Sequence, residues 1–290
     1  MERMNKYVLW NGKILDQDDK EVSVSYEDRG YQFGDGVYEV IRIYQGAIHL
    51  LDWHLDRLFY SMKEIDIVPP FTREQLIEQL RDVIKANQFQ ADGKLYIQVT
   101  RGEQPRDHLY EPNLQAVYYA IVTPFEKPVD MWENGVTVML QEDIRWLRCD
   151  IKSLNLLPNV MARTTAQKNG YDEPLFYRDG IVRECGASNF FLVKDQALVT
   201  HPTDHHILGG ITRKQVIRLA KELGIPVYER EIDLNELEKA HECFLTATPL
   251  EIVPITQIDE KKMNGGAFGP ITKKLFRYYQ EKIPEDLFSV

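Results

Sequence analysis

The sequence predicts an α+β fold made of two α/β-type domains, and three observations predict it. Short runs of alternating apolar and polar residues recur along the whole chain between Gly, Asn and Pro turns. Amphipathic stripes at helical spacing, with start and stop signals, stand among them. The connections are mostly short, which favours antiparallel pairing. A length of 290 residues suits two domains at about 150 residues each. The stretch Pro124-Phe-Glu-Lys-Pro128 interrupts the periodicity. The expected division is a small domain over 1–124, a linker over 125–128 and a larger domain over 129–290 that carries Lys152.

Taken in order, Tyr7 to Trp10, Asn11-Gly12 and Lys13 to Leu15 read as strand, tight turn and strand. Val22 and Val24 suggest a further short strand. Glycines 30, 34 and 36 predict an irregular turn between Glu27 and Glu39. Val37 to Tyr44 and Ala47 to Leu51 alternate as strands. Asp52 is the expected cap of a helix from Trp53 to Ile65, with Leu55, Leu58, Phe59, Met62 and Ile65 as its apolar stripe and Arg57 off it. Thr72 and Gln75 form a capping-box pattern for a helix reaching Asn87. Strands at Lys94 to Thr100 and Ala116 to Thr123 enclose a polar loop. Beyond the linker come strands at 136–140, 173–177, 181–184, 189–193, 197–200, 227–231 and 242–246. Helices are expected at 157–169, 211–223, 233–240 and 271–282.

A net charge of −10 and a pI near 5.3 argue against nucleic acid or an anionic membrane as the main partner. Cys149, Cys185 and Cys243 are widely spaced and form no CxxC pair, so a reducing cytoplasm is expected. No apolar segment is long enough to span a bilayer, and the start MERMNKYVLW carries no apolar leader core.

Asp143 to Leu157 is the stretch with most chemical potential. Residues before Lys152 alternate apolar and charged, suggesting a strand that leaves a sheet, and those after it have helical spacing. Taken alone, Lys152 is an ordinary solvated lysine. Enclosed, its amine becomes a nucleophile for an aldehyde. Two places suit a phosphate. Gly209-Gly210 precede a helix whose first N–H groups belong to Ile211 and Thr212. Thr248-Pro-Leu-Glu251 has the pattern of another helix start. Each alone is an ordinary cap; with Arg57 as a forked donor they make a phosphate cradle. Glu184, at a strand end, suits a heteroaromatic nitrogen as well as solvent. His201, His205 and His206 match no metal-ligand spacing, and no metal is expected.

Glu184-Cys-Gly-Ala-Ser-Asn-Phe-Phe191, Leu198-Val-Thr200 and Leu208-Gly-Gly-Ile-Thr-Arg213 together resemble the signature of the class IV (fold type IV) pyridoxal-phosphate aminotransferases. Glu27 to Val40, Val99 to Gly102, Pro105-Arg-Asp-His108 and Asp143 to Leu157 are most similar to the bacillus-type, D-amino acid branch of that family. The resemblance spans nearly the whole chain. It implies an active site between the two domains, with pyridoxal 5′-phosphate joined to Lys152 by a Schiff base. It implies that Arg57, Ile211, Thr212 and Thr248 hold the cofactor phosphate, that Glu184 faces the pyridine nitrogen and that Leu208 packs on the ring. Tyr38, Arg106 and His108 are implied to bind the substrate carboxylate, the last two reaching in from a second subunit of a homodimer. The implied reaction is transamination between D-alanine and 2-oxoglutarate. A branched-chain L-amino acid aminotransferase, an aminodeoxychorismate lyase, or a cofactor-binding protein without turnover are the alternatives. Cys185 and Ala187 depart from the glycine and serine usual in that branch.

Overall fold

The structure is a computed structural model that describes residues 6–290. Residues 1–5, half of the stretch read for a leader, lie outside the described residues. The elements run β1 (Tyr7–Trp10), β2 (Lys13–Asp16), α1 (Arg29–Phe33), β3 (Gly36–Tyr44), β4 (Ala47–His49), α2 (Leu51–Glu64), α3 (Arg73–Ala86), β5 (Gly93–Thr100) and β6 (Val117–Pro124). They continue with α4 (Val129–Asn134), β7 (Val136–Glu142), α5 (Leu157–Lys168), β8 (Glu173–Arg178), β9 (Ile181–Cys185), β10 (Asn189–Lys194) and β11 (Ala197–Thr200). The last are α6 (Ile211–Glu222), β12 (Val227–Glu229), β13 (Ile232–Asp233), β14 (Glu242–Ala247), β15 (Glu251–Ile258), β16 (Lys261–Lys262), α7 (Pro270–Lys282) and β17 (Leu287–Phe288).

The chain divides into two compact units. Among the described residues, the first comprises 6–126, Ile151–Asn155 and Asp286–Val290; the second comprises Lys127–Asp150 and Leu156–Glu285. Ile151–Asn155 of the lysine stretch, Lys152 among them and expected in the second domain, thus group with the first unit.

The first unit is an antiparallel sheet in the order β17-β4-β3-β5-β6-β1-β2. Its alternating strands put Ile41, Ile43, Leu95, Ile97, Ala120 and Val122 in the core, where Leu55, Leu58 and Met62 of α2 and Leu76, Leu80 and Val83 of α3 pack. Each fully buried Val, Leu, Ile or Met among them stabilises by roughly 1.5–3 kcal/mol. The Thr72 box forms as expected, with Gln75 N donating to Thr72 Oγ1 at 3.2 Å and Thr72 N to Gln75 Oε1 at 2.8 Å. The second unit is a ten-stranded sheet ordered β12-β11-β10-β14-β15-β7-β8-β9-β13, with β16 on β15. Only β7 with β15 and β8, and β11 with β12, pair in parallel.

Several expectations are corrected. Residues 22–24 form no strand: the alternation is two residues long, and Val22 N turns back to Asp19 O. The glycine-rich stretch holds a short helix, α1, because the Asp28 side chain caps it from Tyr31 N and Gly34 ends it in the left-handed region at φ 68°. Asp52 lies inside the first turn of α2, whose cap position is Leu50, and it pairs with Arg73 at 2.9 Å. Residues 143–150 are not a strand, since β7 ends at Glu142 and Asp143 turns into an ion-pair network. Thr248 starts no helix: it lies in the turn of the β14–β15 hairpin, where Leu250 N donates to Ala247 O at 3.0 Å. The pattern misled because Thr-Pro-Leu-Glu suits a turn as well as a cap. Residues 234–239, expected as an α-helix, wind as a tighter 3₁₀ turn.

Candidate active site

In the first unit, Lys152 is held against the start of β3. Tyr38 N donates to Lys152 O at 3.0 Å, Leu154 N to Gly36 O at 3.0 Å, and Lys152 N to Ser61 Oγ of α2 at 3.2 Å. The backbone therefore fixes the lysine's position while its side chain stays half-buried. The ammonium lies 4.2 Å from the centre of the Tyr38 ring. Lys152 and Tyr38, two of the expected site residues, are thus brought together.

Glu39, next to Tyr38, points to the opposite face of the strand and is fully buried. Its carboxylate takes Arg57 Nε at 2.6 Å and Nη2 at 2.9 Å, and the His54 Nδ1 lies 2.7 Å away. Burial pushes Glu39 up, but Arg57 and His54 outweigh it and hold it down to about 2. Burial lowers His54 against the pull of Glu39, so its imidazole is held neutral more strongly than usual. The guanidinium of Arg57, expected at the phosphate, has its plane set by this pair. Arg106 and His108 are exposed in the 101–111 loop. Both lean on Phe33, the guanidinium 4.4 Å and the imidazole 5.7 Å from its ring centre.

In the second unit, Glu184 stands near the end of β9 with both oxygens occupied. Arg145 Nη1 donates to Oε1 at 2.5 Å, Asn189 Nδ2 to Oε2 at 3.0 Å, and Leu208 N to Oε2 at 3.1 Å. Arg145 in turn grips Asp143 through Nε and Nη2, each at 2.9 Å, and lies over the Phe176 ring. Burial raises Glu184 above the ordinary carboxylate range while Arg145 pulls it back. Burial disfavours the charge on Arg145, yet Glu184 and Asp143 raise it further, so it stays a cation.

Gly210 N-caps α6 with no side-chain hydrogen bond, which leaves the first-turn N–H groups of Ile211 and Thr212 for an anion. A side chain at Gly210 has no room: its Cβ would lie 1.9 Å from Asn189 Oδ1. Thr212 is buried and Leu208 half-buried beside this turn. The hydroxyls of Ser188 and Thr246 are buried without a hydrogen-bond partner, as groups awaiting a polar ligand would be. Thr248 sits half-buried two residues further on.

Glu39, His54, Arg145, Asp143 and Asn189 were not singled out from the sequence. His201, without a role there, is buried between Arg183 and the Pro202 carbonyl. Among the described residues no group of three or more His, Cys, Asp and Glu is placed to hold a metal.

In the first unit the braced lysine, and in the second the arginine-fixed carboxylate and the open helix N-terminus, each suit chemistry with a phosphate-bearing carbonyl cofactor. The chain belongs to the class IV aminotransferases, whose family model matches residues 36–258. It is 45% identical to the D-alanine aminotransferase of Bacillus licheniformis over 276 residues, 95% of this chain and 96% of that one. Its structure is similar to the branched-chain amino acid aminotransferase of Escherichia coli, with a TM-score of 0.90 and 25% identity over 96% of this chain and 95% of that one. It is also similar to the branched-chain amino acid aminotransferase of Thermobaculum terrenum in its PLP form, with a TM-score of 0.86 and 30% identity over 98% and 96%.

Proposed function

We propose that this enzyme moves the amino group of D-alanine to 2-oxoglutarate, giving pyruvate and D-glutamate, with pyridoxal 5′-phosphate as cofactor. The observation that carries the reading is the contrast in identity: 45% to a D-alanine aminotransferase against 25–30% to the branched-chain enzymes of the same fold. Tyr38 and Pro105-Arg-Asp-His108 support it as the residues that resemble the D-amino acid branch.

When bound, the cofactor supplies an aldehyde carbon and an electron-withdrawing ring. Ile211, Thr212, Thr248 and Arg57 hold its phosphate. What supports them is the uncapped start of α6 and the Glu39-fixed guanidinium. Glu184 keeps the ring nitrogen protonated, and Leu208 packs on the ring while its N–H holds the carboxylate. Lys152 is the amine that would join the cofactor's aldehyde carbon, and once freed by the substrate's amine it would carry the proton lost from the substrate Cα to that former aldehyde carbon. Tyr38, Arg106 and His108 bind the carboxylate, with Arg106 as the bidentate partner.

The enzyme acts as a homodimer in which Arg106 and His108 of one protomer serve the site of its partner. Supporting this, α5 buries only Ala162 and Ala166 within the chain, while Leu157, Val160 and Met161 are 69%, 58% and 53% exposed. The setting is the cytoplasm, consistent with three buried cysteines that remain unpaired. Among the described residues no helix is long and apolar enough to cross a membrane. The test is borohydride reduction of the holoenzyme followed by peptide mapping, alongside pyruvate release from D-alanine. Label on the peptide carrying Lys152 with D-alanine-dependent pyruvate supports the reading; label elsewhere, or turnover of L-valine in place of D-alanine, overturns it.

A further inference from the structure

Arg29 is a buried cation at the start of α1, 3% exposed, and nothing in the reaction above uses it. Its three donor sites diverge. Nε donates to Asp35 Oδ2 at 2.9 Å, Nη1 to the Asp107 carbonyl at 2.7 Å, and Nη2 to the His108 carbonyl at 3.3 Å. The planar fork thus ties two successive carbonyls of the loop that carries Arg106 and His108 to the body of its own unit. Asp35 is itself anchored, bound by Arg101 Nε at 2.8 Å and Nη2 at 3.0 Å. The clamp therefore has a rigid base.

The same short helix supplies a second brace one turn on. Phe33 takes the Arg106 guanidinium at 4.4 Å and the His108 ring at 5.7 Å on one aromatic ring, and Arg29 stacks on it at 4.8 Å. Fixing the peptide planes that follow 107 and 108 sets the direction of the His108 side chain between them, and the Phe33 ring holds the Arg106 guanidinium beside it. Exposed arginine and histidine side chains would otherwise sample many rotamers, a cost met again at each binding event.

We propose that Arg29 and Phe33 are positioning residues for substrate-carboxylate binding: α1 holds Arg106 and His108 at a fixed spacing, and so sets the affinity for both the amino acid and the 2-oxo acid. This rests on the reading of Arg106 and His108 as the carboxylate site. Arg29→Lys keeps the charge but cannot span all three acceptors. Phe33→Leu keeps much of the volume and removes the ring.

The test is steady-state kinetics of the holoenzyme with D-alanine and 2-oxoglutarate for Arg29→Lys, Phe33→Leu, Arg106→Ala and the Arg29→Lys/Arg106→Ala pair, with cofactor content recorded for each. For each of the two brace variants KM for both substrates rises about tenfold, equivalent to losing about one charged hydrogen bond, with kcat and cofactor content unchanged. In the pair, Arg29→Lys raises KM by less than it does alone, because part of its effect runs through that side chain and only the part through His108 remains. A general structural role would instead lower kcat and cofactor content, and would add fully in the pair. Should Arg29→Lys not yield folded enzyme, Phe33→Leu decides by the same KM-against-kcat split. If Arg106→Ala raises KM and neither brace variant does, the brace is overturned alone. If Arg106→Ala leaves KM unchanged, the carboxylate-site reading falls and the brace with it.

Discussion

Replacing Glu39 by Gln removes the charge that fixes Arg57 while keeping the shape of the side chain. The size of the effect follows from the folded state. Glu39 is held down to about 2 by Arg57 and His54 in spite of burial. An ordinary glutamate titrates near 4.3, so the depression of roughly 2 units corresponds to about 3 kcal/mol of folding stability at neutral pH. Because the folded value lies below the unfolded one, that contribution is complete above about pH 4.3 and is lost as pH falls through about 2; at pH 3 about half of it remains. Urea unfolding of parent and Glu39→Gln, followed by circular dichroism, is expected to show a gap of about 3 kcal/mol at pH 7 that narrows to about half of that at pH 3. A gap that does not change between the two pH values, or one below about 1 kcal/mol at pH 7, would refute the reasoning, because it would mean the carboxylate is not held ionised by its partners.

Other outcomes are equally definite. Lys152→Ala abolishes turnover while the protein still folds, read by D-alanine-dependent pyruvate release and melting; near-parental activity would contradict its role. Arg145→Met strands the buried carboxylates of Glu184 and Asp143, which the arginine grips at 2.5 and 2.9 Å. It is expected to lower the unfolding free energy by about 3–5 kcal/mol, measured by urea titration. Gly210→Ala drives a methyl group to within 1.9 Å of Asn189 Oδ1. Asn189, whose Nδ2 donates to Glu184 at 3.0 Å and to the Leu208 carbonyl at 2.8 Å, must then release one of them, so cofactor affinity, measured by titrating pyridoxal phosphate into resolved enzyme, falls about tenfold, the equivalent of one lost hydrogen bond.

Much of the fold was legible because period-two and helical patterns coincide with burial. β3, β5, β10 and α6 stand within a residue or two of their expected bounds. The misreadings occur where a local pattern had no tertiary partner or had a competing one. Val22 and Val24 alternate but no strand edge meets them, and Thr248 obeys cap chemistry inside a hairpin turn. In the site, Lys152, Glu184 and α6 stood out through the residues around them. Arg145 did not, because its bond to Glu184 spans 39 positions that no local pattern records. Glu39 and His54 did leave a signal. Glu39 shares the strand parity of Val37, Ile41 and Ile43, and His54 the helix face of Leu51, Leu55 and Leu58, all buried. A polar or charged residue on a core face must have a partner, and here each has the other. Arg29 was hidden in the same way, within a glycine-rich stretch expected to be irregular.

The central claim is that this site takes the amino group from a D-amino acid in one half-reaction and delivers it to make a D-amino acid in the other. Chiral chromatography of the glutamate formed from D-alanine and 2-oxoglutarate tests it most directly. The account predicts D-glutamate alone. Formation of L-glutamate would contradict it and move the enzyme to the branched-chain group of the same fold.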